Sequence, residues 1–464
     1  MLDASTFCRS TTDAMASPFA PDWDPTSPAV LTDQRAAYDI QRERCPVAFG
    51  PTGQASVLRH ADVLRVLADP DTFSSAVSDH PAVPNGYDPP QHTAYRKALD
   101  PFFAPERIRH FSPVCRRLAV RVVQEAVSLG DVEASHEFAL PFAVRVQSAF
   151  LGWPALIQDE LLDWLQRSRA ATRSGDRALT AQVAQEFEAF VLRVRDARLD
   201  APPTQDISTE LMHTRVDGRP LDLRELASVL RNWTVGEVGT ISASVGILLH
   251  WLATQPDWQR RLRAEPTLLP QAIDEVLRID GPLAANRRIT TRPVALGGRE
   301  LPAGTRLSLN WIAANRDPQA FDAPDTFDLA RDPAANLLYG AGIHVCPGAP
   351  LARLEDYLDL LTAIDAELTD DEAVCLQTVG VKEKFGLLRL MFEVLSHEET
   401  ARQEVIKLLT WRKVHRLACV AQARSASICM CCGLPGHLRY GRWQRVSCDA
   451  CERSGSVWYN RQVF

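Results

Sequence analysis

The stretch from Tyr339 to Gly348 reads Tyr-Gly-Ala-Gly-Ile-His-Val-Cys-Pro-Gly and sets Cys346 in a glycine-bracketed loop just ahead of a helix-forming run, Ala349 to Leu361. A cysteine so placed can serve as an axial thiolate for a haem iron. That role needs a lowered thiol pKa and backbone N–H groups aimed at the sulfur. The start of the following helix offers the positive end of its dipole, and Gly342 and Gly348 let the backbone approach closely. A buried structural cysteine in an ordinary turn has the same local sequence, so other segments must decide.

A second group of thiols lies at the end of the chain, where Cys429 and Cys432 form one Cys-x-x-Cys pair and Cys448 and Cys451 another, 15 residues apart. This is the spacing of a zinc ribbon, in which two knuckles complete a closed tetrahedral site. A redox dithiol pair or unliganded reduced thiols are the competing readings.

The elements that must position Cys346 are mostly helical. Apolar residues three and four apart predict helices from Asp62 to Leu67, Val114 to Val127, Glu160 to Arg169, Ala181 to Leu199, Arg224 to Thr254 and Leu268 to Ile279. Strand-like runs are short: Ala55 to Leu58, Val294 to Leu296 and Thr305 to Leu309, beside turn signals such as Gly297-Gly298. The expected class is mainly α with small sheets at the rim of a helical body.

At 464 residues, 46% apolar and 23% charged, the chain is long enough for one large domain and a smaller one. Its net charge of −7 argues against nucleic acid as the main partner. The charge is uneven, however: from Arg402 onward 11 basic residues face 3 acidic ones, and seven of the 11 cysteines fall between Cys375 and Cys451. Two compositional regimes imply two modules. The basic tail, with Trp411, Tyr440 and Trp443, permits nucleic-acid or protein binding, although a solvated basic ribbon is the blander account. Residues 1–33 are rich in Ser, Thr, Asp and Pro with no signal-peptide core, and are expected to form a flexible lead-in. No stretch reads as a membrane span, the greasiest piece being Val245 to Leu252, so a cytoplasmic protein with no membrane partner is expected.

With these residues assembled, the region from about 30 to 365 resembles the cytochrome P450 haem-thiolate monooxygenases. Glu275-Val-Leu-Arg278 matches the family's Glu-x-x-Arg helix, and Arg331, in Phe327-Asp-Leu-Ala-Arg331, stands where the family supplies a third charged partner. Taken alone, Glu275 and Arg278 could equally be a solvated ion pair. His92-Thr-Ala-Tyr-Arg96 looks like the helix whose His and Arg, four apart, meet the haem propionates; Arg288 and His344 match further propionate contacts. Tyr339, where the family usually has Phe, and Gly340 open the cysteine loop beside haem. The resemblance implies haem b held by Cys346, dioxygen as oxidant and a small apolar organic substrate. Phe73 to Tyr87, Trp233 to Val235 and Pro282 to Asn286 would face that substrate. It also implies that electrons arrive from a separate ferredoxin and its reductase, since no reductase motif is present. The thiolate would push electron density into iron and favour attack on an unactivated C–H bond.

The chain departs from the family in two places. In Asn232-Trp-Thr-Val-Gly-Glu-Val-Gly-Thr240 the usual adjacent acid and alcohol are replaced by Val238 and Gly239, leaving Glu237 and Thr240 three apart on one helical face. They could relay protons through water, with Gly236 and Gly239 opening the helix for dioxygen. Alternatively Glu237 turns into a salt bridge and Thr240 bonds back to helix carbonyls. Past Leu368 the family's terminal sheet region is not recognisable. The expected division is a lead-in at 1–33, a haem domain at 34–368 lacking that sheet, and a basic, cysteine-rich α+β module at 369–464 resembling a small uncharacterised bacterial zinc-ribbon-like domain. A haem-binding fusion remnant, non-catalytic or peroxide-dependent, with a metal-binding interaction module, is the rival reading.

Overall fold

The computed structural model describes residues 21–78, 82–129, 132–203 and 205–353, together with four strands between 376 and 447. Two compact units are separated, one made of 1–118 with 139–359 and the other of 119–138 with 360–464.

The first unit opens with α1 (Pro28–Thr32) and α2 (Gln34–Arg44), then β1 (Val47–Phe49), β2 (Ala55–Val57), α3 (His60–Ala68) and β3 (Phe73–Ser74). There follow α4 (Gln91–Leu99), α5 (Pro105–Leu129, whose second half belongs to the other unit), α6 (Leu140–Leu151), α7 (Gln158–Ser174), α8 (Arg177–Asp196) and α9 (Ile207–His213). A small hairpin of β4 (Arg215–Val216) and β5 (Arg219–Pro220) leads into the long α10 (Leu223–Thr254), then α11 (Pro256–Ala264) and α12 (Leu269–Ile279). The unit closes with β6 (Ala285–Thr290), β7 (Val294–Leu296), β8 (Arg299–Leu301), β9 (Arg306–Asn310), α13 (Trp311–Asn315) and α14 (Ala349–Arg353).

All six helices and three strands expected from periodicity are present, with ends that differ by up to nine residues. Among the elements that periodicity missed are α2, α6 and β6. The first is short and polar, and α6 is apolar on nearly every side because it packs between α7 and α10, so no stripe marks it. The strand β6 is rich in Arg and Asn, and owes its place to pairing with β9 and β3.

Five strands form one mixed sheet in the order β1-β2-β9-β6-β3, parallel only between β2 and β9. Its buried side chains, including Val47, Phe49, Val57, Phe73, Leu307 and Leu309, share a core with Val63 and Leu67 of α3 and with Trp311. The sheet matters for the site because Ser74 of β3 pairs with Ile289 of β6, bringing Ser75 and Arg288 to the same edge.

Two expectations are corrected here. Residues 21–33 are not a loose lead-in: Asp22 accepts from the Phe49 N–H at 2.6 Å, and Trp23 is buried and stacks on Tyr38 with centroids 5.8 Å apart. Burial of an indole outweighs the polar composition around it. Residues 1–20 lie outside the described set. And α10 is, by length and composition, apolar enough to cross a membrane. Its buried residues, among them Leu226, Leu230, Val238, Ile241, Val245 and Leu248, form one face, and the helix packs on α6, α8 and α12.

The second unit contains the later half of α5 and a π-type turn, Ala134–Ala139, where the Glu133 carboxylate accepts from the N–H groups of Ser135 (3.0 Å) and His136 (2.5 Å). Beyond residue 368 it has β10 (Leu376–Lys384) paired antiparallel with β11 (Leu387–Val394) through a register shift at Thr378/Gly380, and β12 (His437–Arg439) paired with β13 (Arg445–Ser447). Cys429, Cys432, Cys448 and Cys451 lie outside the described residues.

Candidate functional site

The cysteine loop is a tight backbone construction. Cys346 N–H donates to Tyr339 O (2.9 Å), Gly340 N–H to Leu337 O (2.9 Å) and Val345 N–H to Gly342 O (3.2 Å). Gly340 and Gly342 have φ of +70° and +68°, a region costly for residues with a Cβ. At Gly342 a Cβ would also fall 2.5 Å from Leu67 O, so the close approach expected there is real. Gly348 is different: a Cβ there would meet Cys346 Sγ at 3.8 Å and Phe103 at 3.9 Å, ordinary contact, and the requirement expected at this position is corrected.

The backbone N–H groups of Gly348 and Ala349 pull the Cys346 thiol pKa down, and the Ala349 N–H donates to Cys346 O at 3.3 Å. The expected low pKa is not found. Although Cys346 is exposed, desolvation by surrounding protein pushes its thiol up and the charge of Glu237 adds to this, while the two N–H groups and Arg96 pull it down. A coordinating metal deprotonates a thiol by itself, so the polypeptide need not do so beforehand.

His92, Arg96, Arg288 and His344 converge as expected, each within electrostatic range of others. Their bonding differs. Arg96 donates to Asp100 Oδ1 (2.6 Å), Val345 O (2.8 Å) and Ile343 O (3.3 Å), so it braces the cysteine loop. His344 is tethered through Nε2 to Ser75 Oγ at 2.9 Å and by a further bond to the Tyr87 backbone. Desolvation, with Arg288, His92 and Arg96 nearby, lowers its pKa to about 3. Arg288 is buried, and its guanidinium donates to Arg287 O at 2.7 Å. His92 is 3% exposed and neither ring nitrogen has a hydrogen-bond partner. A buried, unpartnered imidazole flanked by two arginines fits an anionic group such as a carboxylate, which supplies both the missing acceptor and the missing charge.

On α10, Thr240 Oγ1 donates to Gly236 O (2.6 Å) and lies 3.2 Å from Glu237 O, the back-bonded arrangement. Gly236 faces open space where a Cβ would stand, and Val235 beside it is 43% exposed. Leu283 is likewise open at 42%. Trp233, expected to face substrate, instead packs against Phe102 and Phe103 at 5.6 and 5.0 Å. Its indole gains more from an aromatic cluster than from an open face.

Glu275, Arg278 and Arg331 form a buried triad. Arg278 is 1% exposed and binds both Glu275 oxygens (2.8 and 2.9 Å) plus the carbonyls of Asn315 and Pro324. Arg331 reaches Glu275 Oε1 at 2.9 Å and the carbonyls of Asp322, Ala323 and Thr326. This is no solvated pair: it staples α12 to the segment from 322 to 331. The hydroxyl of Tyr339 finds Asp274 Oδ1 at 3.4 Å, beside the triad.

Sequence reasoning missed a second network. Arg219 donates to both oxygens of Glu225 (2.6 and 2.7 Å) and to Tyr95 Oη (3.1 Å), and Tyr95 donates to Glu225. Glu225 also closes a capping box with Asp222 at the start of α10. The Asp-x-x-Glu pattern could have revealed the cap, but nothing local pointed to Tyr95. Also missed was Asp88, which accepts from Ser74 Oγ (2.5 Å) and Ser75 N–H (2.9 Å) and so fixes the partner of His344. A separate recess of about 750 Å3 between α5, α6 and α9 shares no lining residue with the cysteine loop. Among the described residues, no group of three or more His, Cys, Asp or Glu is arranged to hold a metal ion.

Comparison with known proteins agrees with this geometry. The Cytochrome P450 family model matches residues 171–364. Erythromycin C-12 hydroxylase of Saccharopolyspora erythraea is 31% identical over 350 residues, spanning 71% of this chain and 87% of that one. Cyclomarin C epoxidase CymV of Salinispora arenicola is 30% identical over 341 residues, 70% and 85% of the two chains. Among solved structures, cytochrome P450 CYP109Q5 from Chondromyces apiculatus superposes with a TM-score of 0.70 at 28% identity, covering 81% of this chain and 99% of that one. A mutant of P450 EryK in complex with erythromycin B gives 0.68 at 28% identity, with 80% and 99% covered. The chain belongs to the cytochrome P450 family. It is an oxygen-incorporating monooxygenase whose cofactor is haem iron, working on an organic substrate with electrons from a redox partner.

Proposed function

We propose that residues 34–368 form a haem domain that inserts one oxygen atom from dioxygen into a small apolar organic substrate, with a ferredoxin and its reductase as electron donors and the cytoplasm as its compartment. Bound haem would supply the oxidising chemistry. Cys346 would bind its iron through the thiolate sulfur, with the Gly348 and Ala349 N–H groups favouring the charged form. His92 and Arg288 would take the propionates, while Arg96 and His344 hold the loop that carries Cys346 and add positive potential. Tyr339 and Gly340 would border the haem on the thiolate side. Glu275, Arg278 and Arg331 brace that side of the fold.

Glu237 would pass protons toward the iron site. Thr240, its hydroxyl engaged by helix carbonyls, would shape the groove beside it and contribute a proton only by leaving those carbonyls. The open faces at Val235, Gly236 and Leu283 support an apolar substrate lining. The hydroxylase and epoxidase relatives favour catalysis over a non-catalytic haem-binding role.

The observation that carries this reading is the Arg96-braced loop that presents Cys346 beside an unpartnered, buried His92. The decisive measurement is the carbon-monoxide difference spectrum of the reduced protein. A far-red Soret band in the parent, absent in Cys346→Ala, is expected; a parent without that band defeats the proposal.

For residues 369–464 we propose a basic zinc-ribbon-like module in which Cys429, Cys432, Cys448 and Cys451 bind zinc. The strands β12 and β13 lie in sequence between the two Cys-x-x-Cys pairs, as the connection in a ribbon would. Nucleic-acid or protein contact would fall to this module. One zinc per chain, lost in Cys448→Ser, is the expected analysis.

A further inference from the structure

Gln147, on α6, is fully buried, and its terminal amide lies against the carboxylate of Glu237 on α10. With the amide turned so that both of its ends are satisfied, one nitrogen stands 2.8 Å from Glu237 Oε1 and 2.6 Å from Oε2. In this orientation the nitrogen donates to both carboxylate oxygens. The opposite orientation would set the amide oxygen against acceptors and its nitrogen against donors. The packing of the amide therefore selects one face for Glu237 to meet, and that face is a donor.

The neighbouring turn of α10 gives this contact its meaning. Gly236 borders open space, Val235 is exposed, and the charge of Glu237 reaches the Cys346 thiol. Thr240 is occupied by the carbonyls of Gly236 and Glu237. The Arg169 guanidinium lies 3.9 Å from where a Cβ on Gly239 would stand. A carboxylate on a flexible stem at this point could lean toward the open space or away from it, and the amide of Gln147 favours one of the two.

We infer that Gln147 is the positioning residue of the oxygen-activation site, holding the Glu237 carboxylate on the α6 side of α10 in the register from which it serves the iron. This rests on the proton-relay reading of Glu237. When Glu237 gives up a carboxyl proton toward the haem site, the carboxylate left behind accepts from the Gln147 N–H groups, and a proton taken up from solvent restores the acid.

The test is a double-mutant cycle with two readouts on the haem-loaded full chain. Product formed per NADH consumed is measured for the parent, Gln147→Leu, Glu237→Ala and the double variant. The carbon-monoxide stretching band of each reduced, CO-bound form is recorded alongside. Gln147→Leu is expected to raise the ratio of hydrogen peroxide to product roughly tenfold and to shift or split the CO band as the carboxyl loses the amide donor. Both effects should vanish in the Glu237→Ala background. Gln147→Met repeats the measurement should the leucine variant fold poorly.

If Glu237→Ala uncouples the enzyme but Gln147→Leu and Gln147→Met change neither coupling nor CO band, the positioning role is overturned while the relay stands. An equal effect of Gln147→Leu with and without Glu237 also overturns it, as a purely structural role would give that result. If Glu237→Ala is as well coupled as the parent, the relay itself is wrong and the inference falls with it.

Discussion

The imidazoles of His92 and His344 lie 4.2 Å apart between centroids, their planes tilted by 58°, yet they are bonded in opposite ways. His344 is held by Ser75 and the Tyr87 backbone, whereas His92 has no partner on either nitrogen. One ring is bonded into the protein's own scaffold, and the other is buried with neither nitrogen satisfied.

This division predicts opposite signs for stability and cofactor retention. An unsatisfied buried imidazole costs the haem-free chain about 1–3 kcal/mol, so His92→Leu should leave the haem-free protein as stable as the parent or more so. The same variant should lose haem faster to an apo-myoglobin acceptor. Denaturant melts of the haem-free form paired with haem-transfer kinetics check this, and a destabilised haem-free variant that keeps its haem would refute it.

Two glycines of the cysteine loop should respond differently to alanine. At Gly342 a Cβ meets positive φ and the Leu67 carbonyl together, and Gly342→Ala should cost at least about 1–3 kcal/mol and shift the carbon-monoxide Soret band away from its thiolate position. Gly348→Ala, with only ordinary contacts, should keep that band and nearly all of the stability. Spectra and thermal melts of the two variants side by side decide the matter.

Removing one arginine of the buried triad leaves Glu275 paired with the other but takes donors from buried acceptors. Arg278→Leu removes two bonds to Glu275 and leaves the carbonyls of Asn315 and Pro324 without their donor, and should destabilise by about 3 kcal/mol. Arg331→Leu, whose guanidinium lies nearer solvent, should cost less. Urea midpoints at constant m-value would measure both.

Acid stability should depend on Glu225. The Arg219 guanidinium, with help from Tyr95, depresses its pKa to about 2. A depressed carboxylate contributes stability that is fully present above its unfolded pKa and is lost as pH falls toward the folded value. Glu225→Gln should therefore flatten the fall in stability between about pH 5 and pH 2, and Tyr95→Phe should cost about 1.5–3 kcal/mol near neutrality. An unchanged acid limb in Glu225→Gln would show that other carboxylates govern this range.

Much of the fold was legible because its signals are local. Helical periodicity located α3, α5, α7, α8, α10 and α12, and the spacing of Glu275 with Arg278 and of His92 with Arg96 follows from 3.6 residues per turn. Positive φ at Gly340 and Gly342 was foreshadowed by the residue type. These depend on neighbours in the chain, and a sequence contains its own neighbours.

Partnership across the chain was another matter. That Arg96 braces the carbonyls of Ile343 and Val345, that Ser75 claims His344, and that Gln147 meets Glu237 are pairings separated by roughly ninety residues or more. No periodicity encodes them; the β3–β6 register and the packing of α6 on α10 create them. The residue types alone told which atoms could bind an iron, a carboxylate or a proton. Only the folded chain decided which of those atoms were already bonded and which were left open, because a hydrogen-bonding group is satisfied by whatever the tertiary structure brings within about 3 Å of it.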